Sequence, residues 1–196
     1  MELLTTKLEN LVLRGREVYL DNDFLDFLFS DEDALVAAQS FFIGSTLIVD
    51  RVTAFEFLRD MYVPEELDSR KLFLSKDAFN APTSNSLYDA ALYDNALLLS
   101  RIYAHSKPHG NKSAYSMADL FLAARAMMHA GRALLVTGNT KDFPPCVFDL
   151  VGAFNWRQDG DGTVRVFSVL QFNRNKFEQK NDALNRVQQS NRSVKS

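Results

Sequence analysis

Four carboxylates and two neutral oxygen donors carry the chemistry legible in this chain. Asp21 directly follows the apolar run EVYL (17–20), and Glu56 lies in DRVTAFEFL (50–58). Asp119 stands in YSMADL (115–120) and Asp142 in LLVTGNTKDF (134–143), where Thr137 and Asn139 precede it. Four acids in a small dry space cannot all stay ionised, because mutual repulsion raises some of their pKa values. A divalent cation resolves that conflict. Hard oxygen donors with no His or Cys nearby select Mg²⁺ or Mn²⁺. Such a cation can lower the pKa of a bound water and clamp a phosphate during in-line displacement, which points to phosphodiester hydrolysis. Thr137 and Asn139 suit a supporting role, orienting a carboxylate or a ligand water.

The elements must bring these residues to one place. Short apolar runs at 17–20, 46–49 and 133–136 read as strands, with 71–74 (KLFL) as a further candidate. Helices are expected after Asp21, over 33–42, over 53–61 with Pro64 as its stop, over 85–105 and over 116–130. Gly131 stands at the C-terminal cap of the last of these. Two more apolar runs, 147–157 and 163–172, flank QDGDG, a hairpin signal. Strands alternating with helices predict an α/β fold, a three-layer α/β/α sandwich on a mainly parallel sheet with a C-terminal antiparallel hairpin. In such sheets ligands bind beyond the carboxyl ends of the strands. From Asp119 a helix descends about 16 Å to residue 130. The following strand and loop climb back roughly 17 Å, returning Asp142 to the level of Asp119. Asp21 and Glu56 fall at the same rim.

Each acid also has an ordinary structural use. SMAD fits a capping box, with Asp119 three residues after Ser116. Asp21 can cap the helix after it. Glu56 can pair with Arg59, and Asp142 can close an Asx-turn before Phe143. It is the joint placement at one sheet edge that favours a site.

The segment 115–144, YSMADLFLAARAMMHAGRALLVTGNTKDFP, resembles the helix–strand block of the PIN-domain ribonucleases. There a Ser-x-Ala-Asp helix start precedes an Ala-rich helix and a strand ending Thr-x-Asn-x-x-Asp-Phe. VYLDNDFLDFL (18–28) and IVDRVTAFEFL (48–58) are similar to the family's first acidic strand and its glutamate segment, in the same order. The resemblance implies a PIN-like nuclease domain over 1–172, with 173–196 a basic polar tail, helical or disordered. It makes Asp21, Glu56, Asp119 and Asp142 the catalytic acids, with Asp21, Asp119 and Asp142 as ligands of Mg²⁺ or Mn²⁺. Implied function is a metal-dependent endoribonuclease, such as the toxin of a toxin–antitoxin pair, with RNA as substrate, an antitoxin protein as partner and a homodimeric state. Lys141 and Arg51 are the local cations expected to draw the RNA backbone. Asn22 stands where the family usually has Thr, and the hairpin and tail are longer than a compact toxin needs.

Two other classes compete. Asp21-x-Asp23 after a strand also fits a haloacid-dehalogenase-type phosphatase, one Asp as nucleophile and the other as acid/base. Phe24-Leu25 departs from that pattern, and the later Asp159/Asp161 pair sits in the turn signal. A PIN-like module that binds RNA or protein without cutting is the non-enzymatic alternative. His105 and His109 are separated by Pro108, and no Cys joins them, which argues against zinc. Cys146, the one cysteine, precludes an internal disulfide and fits a reducing cytoplasmic setting. The chain has 196 residues, 46% of them apolar and 24% charged, the balance of one globular domain. Its net charge of −3 divides unevenly: residues 171–196 carry +4 and residues 1–170 carry −7. No N-terminal signal pattern and no run long enough to span a bilayer is expected.

Overall fold

The structure is a computed structural model that describes residues 13–59, 61–81, 89–106, 115–157 and 164–193. Strand β1 (Glu17–Leu20) leads into helices α1 (Asn22–Ser30) and α2 (Glu32–Phe41), then strand β2 (Thr46–Ile48). Helices α3 (Arg51–Leu58), α4 (Pro64–Leu74), α5 (Ala90–Ser106) and α6 (Met117–Met128) follow. Strand β3 (Ala133–Thr137), a single 3₁₀ turn (Thr140–Asp142), strands β4 (Phe148–Arg157) and β5 (Val164–Phe172), and helix α7 (Arg174–Ser193) complete the chain. No described helix is long and apolar enough to cross a membrane.

The strands form one five-stranded open sheet in the order β2-β1-β3-β5-β4. β1 runs parallel to both β2 and β3, with Tyr19 level with Ile48 on one side and Leu135 on the other. β5 lies antiparallel to β3 and to β4, and a bulge at Leu150/Gly152 shifts the second register. The sheet is therefore mixed. The hairpin enters it next to β3, so antiparallel pairing makes up half of its ladders rather than a fringe on a parallel core.

Alternation along β1 separates two cores, because successive strand side chains point to opposite faces. Val18 and Leu20 face Phe24, Phe27, Leu35 and Phe57 from α1, α2 and α3. Tyr19 faces Leu99, Ile102, Leu122 and Ala126 from α5 and α6. α7 closes the second core with Phe177 and Leu184, and Lys176 meets Asp149 of β4 at 2.7 Å. The tail expected to be helical or disordered is thus helical over its described length.

Two element readings are corrected. KLFL (71–74) is the last turn of α4, not a strand. Pro64 opens that helix at its first turn, with Glu65 and Glu66 behind it, instead of ending α3. Proline suits a first helical turn because its missing N–H has no partner there anyway. α3 itself stops at Leu58, with Arg59 in extended backbone. The start expected for α5 at 85–88, its terminator at 107–110 with His109, the hairpin turn with Asp159 and Asp161, and Lys195 lie outside the described residues.

Candidate functional site

The carboxyl ends of β1 and β3 are neighbours, and the polar cluster forms where they finish. The Asp21 N–H donates to the Val136 carbonyl at 3.0 Å, which brings the residue after β1 beside the end of β3. Thr137 Oγ1, fully buried, donates to Asp21 Oδ2 at 2.7 Å and accepts from the Asn139 N–H at 2.9 Å. Asn139 Nδ2 donates to Asp142 Oδ2 at 2.6 Å. One hydrogen-bonded line thus runs from Asp21 through Thr137 and Asn139 to Asp142. Asp21 also caps α1, its Oδ1 accepting from the Asn22 N–H at 2.8 Å.

Asp119 arrives from the other core. Ser116 Oγ accepts from its N–H at 3.0 Å, and its Oδ2 accepts from the Ser116 N–H at 3.1 Å. The capping box is formed, and the same carboxyl opposes the ionisation of Asp21 and Glu56. Glu56 rises on α3 and meets Arg59 loosely, at 3.9 Å. Lys141 is exposed in the 3₁₀ turn, and Arg51 is exposed at the first position of α3.

Electrostatics join the acids more firmly than hydrogen bonds do. Burial pushes the Asp21 carboxyl up to about 7; Asp23 and, more weakly, Asp119 add repulsion, while Thr137 and the Asn22 N–H pull the other way. Burial also raises Asp23, which the Gly138 and Phe24 N–H groups oppose and Asp119 and Asp142 reinforce. Glu56 is raised by burial and then by Asp119. Asp119 thus acts on both Asp21 and Glu56, whereas Asp142 acts on Asp23. Asp21 and Asp23 titrate as a pair, the charge on Asp23 disfavouring that on Asp21.

Several residues of this region have no role in the nuclease reading of the sequence. Asp23 Oδ2 accepts from the Gly138 N–H at 2.8 Å, and its Oδ1 is buried with no hydrogen-bond partner among the described residues. The Asp-x-Asp spacing was its only signal. Asp50 and Arg125 form an ion pair at 2.9 Å with both side chains almost wholly buried, and Asp50 also caps α3. Tyr103 on α5 buries its hydroxyl without a partner among the described residues. Burial above all, then Cys146, Tyr115, Asp119 and Asp142, oppose its ionisation. These partners are 75 residues apart in the case of Asp50 and Arg125, so only the fold unites them.

Among the described residues no three His, Cys, Asp or Glu side chains stand together as a group able to hold a metal ion. Asp21, Asp119 and Asp142 are thus not drawn into a ready-made ligand set. Each is held by its own hydrogen bond, to Thr137, Ser116 and Asn139 respectively, and like charges keep apart. The donors still fit Mg²⁺ or Mn²⁺ in kind: hard carboxylate oxygens, one of them buried and unbonded, in a region where negative charge is disfavoured. Mg²⁺ is commonly held by one or two carboxylates, with waters and substrate phosphate filling the rest. In comparison with known proteins, the chain matches no family model and no curated protein.

Proposed function

We propose that this chain is a Mg²⁺- or Mn²⁺-dependent endoribonuclease of the PIN-domain type, acting at Asp21, Glu56, Asp119 and Asp142. The observation that carries the reading is the buried Asp21 carboxyl at the joint mouth of β1 and β3, raised to about 7 and bonded to Thr137. Such a group is costly to bury ionised, and perturbed carboxyls of this kind cluster at functional sites. Asp21 with Asp23, and Asp119 or Asp142 facing them, would hold the cation. When bound, it supplies neutralising charge for the carboxylates and the phosphate and lowers the pKa of a water. Thr137 fixes the Asp21 carboxylate, and Asn139 fixes that of Asp142. Glu56, raised by burial and then by Asp119, is suited to take or give a proton.

One observation favours a second reading. Asp23 shares the site with Asp21, the pairing a haloacid-dehalogenase-type phosphatase requires. The test is cleavage of a mixed-sequence single-stranded RNA by the purified chain with Mn²⁺, against hydrolysis of a simple aryl phosphate. The nuclease reading expects RNA cleavage that EDTA stops and that Asp119→Asn lowers by more than about 100-fold, beyond the loss usual for an outer partner of a metal site. Intact RNA, with aryl phosphate hydrolysis abolished by Asp23→Asn, overturns it in favour of the phosphatase.

A further inference from the structure

The outer face of α3 carries a pattern that the site itself does not use. Arg51 and Phe55 stand four apart on the helix, Arg59 follows four further on as its C-terminal cap, and all three are exposed. Residues four apart share a helix face, so the stripe alternates cation, aromatic, cation at intervals of about 6 Å. The opposite face is buried through Thr53 and Phe57. Phe55 is 64% exposed although it is a large aromatic side chain. A phenyl ring left in water between two arginines does nothing for the core.

The stripe leads to the acids. Asp50, just before α3, bonds Arg125, and Glu56 near its end is raised by Asp119. Residues 50 and 56 therefore match 125 and 119, and α3 runs up α6 in the opposite direction. Phe55 sits in the middle of the stripe, next to Glu56 in the chain.

We infer that the Arg51–Phe55–Arg59 face of α3 is the track for single-stranded RNA, a base stacking on Phe55 and flanking phosphates meeting the two arginines. This rests on the nuclease reading above. Residues 1–170 carry −7, so a polyanion approaching the carboxylates needs local cations to reach them. Aromatic stacking combined with arginine–phosphate contact is how unpaired strands are held without sequence preference. A duplex keeps its bases stacked internally and has none to offer Phe55. The arginines bracketing the ring favour RNA over an apolar protein partner, whose face would continue the hydrophobic surface.

The experiment is binding of a labelled, unstructured single-stranded RNA of about twelve nucleotides, within the usual site sizes, to the full chain in EDTA, so that nothing is cut. Phe55→Ala should weaken binding about five- to 100-fold, and Phe55→Trp should restore it. Arg51→Ala and Arg59→Ala should each reduce the salt slope by about 0.7. Unchanged affinity in Phe55→Ala overturns the inference, as does an equal loss on duplex RNA. So does a Phe55→Ala variant that changes only the sedimenting mass, which would assign the face to a second copy of the chain. Phe55-dependent binding without any cleavage in Mn²⁺ would sink the nuclease reading and leave the track standing. Cleavage with Phe55-independent binding would do the reverse.

Discussion

At Gly138 the presence or absence of one carbon decides where a carboxylate sits. A Cβ there would lie 2.7 Å from Asp23 Oδ2 and 3.4 Å from Phe167 Cε1. The glycine is needed because Asp23 approaches its backbone to hydrogen-bond the N–H. No left-handed backbone requires a glycine there, since only Gly15, Gly44 and Gly131 have positive φ among the described glycines. Gly138→Ala should displace the Asp23 carboxylate and destabilise the protein by about 1–3 kcal/mol, the usual range for overpacking. Urea denaturation measures that, and RNA cleavage should fall alongside; an alanine variant with unchanged stability and rate would show that Asp23 yields freely. Thr137, Asn139 and Asp142 were legible as one group because three residues in one short stretch cannot be far apart. Asp23 was not, since the approach that gives it a role spans 115 residues.

Helices α3 and α6 carry Glu56 and Asp119, and a buried ion pair helps to set them side by side. Asp50 caps α3 while its other oxygen meets Arg125 on α6 at 2.9 Å. Removing one member of a buried pair leaves the other charge desolvated and uncompensated. Arg125→Ala is expected to lose about 3–5 kcal/mol in chemical denaturation, and adding Asp50→Asn should recover part of the loss. If Arg125→Ala alone loses less than about 1 kcal/mol, the level of an exposed pair, the pair does not brace the helices. The alanine-rich run around Arg125 does not reveal this pairing, because Asp50 lies 75 residues away. α4 is misread for a related reason: four apolar-leaning residues fit either period, and the proline and acids before them decide for helix.

For the molecule as a whole, the acid cluster should appear as a slope of stability against pH. The Asp21 carboxyl rises from 3.8 to about 7 on folding. Between those values the folded chain binds more protons than the unfolded one, so stability falls as pH rises, and levels off above about 7. Asp23 and Glu56, also raised, act with the same sign. Asp149, lowered first by its bond to Lys176, acts oppositely and loses its contribution as pH falls through the carboxylate range. In EDTA, Asp21→Asn should therefore melt higher than the parent at pH 8 and close to it near pH 4. Parallel melting profiles for the two proteins would mean that Asp21 is not buried against its charge.

By itself the sequence determined what depends on neighbours along the chain. The α1 and α6 caps at Asp21 and Ser116, β1, β2 and β3, the hairpin strands and the Thr137–Asn139–Asp142 cluster all follow from local periodicity and short-range hydrogen bonding. Only the tertiary structure decided which strands pair and which charges meet. It set β5 beside β3 and made the sheet mixed. It buried Asp50 against Arg125, brought Asp23 to Gly138 and left Phe55 in water beside Glu56. Pairing and burial are properties of distant segments brought together by the cores on the two faces of the sheet, and no stretch of residues read alone contains them.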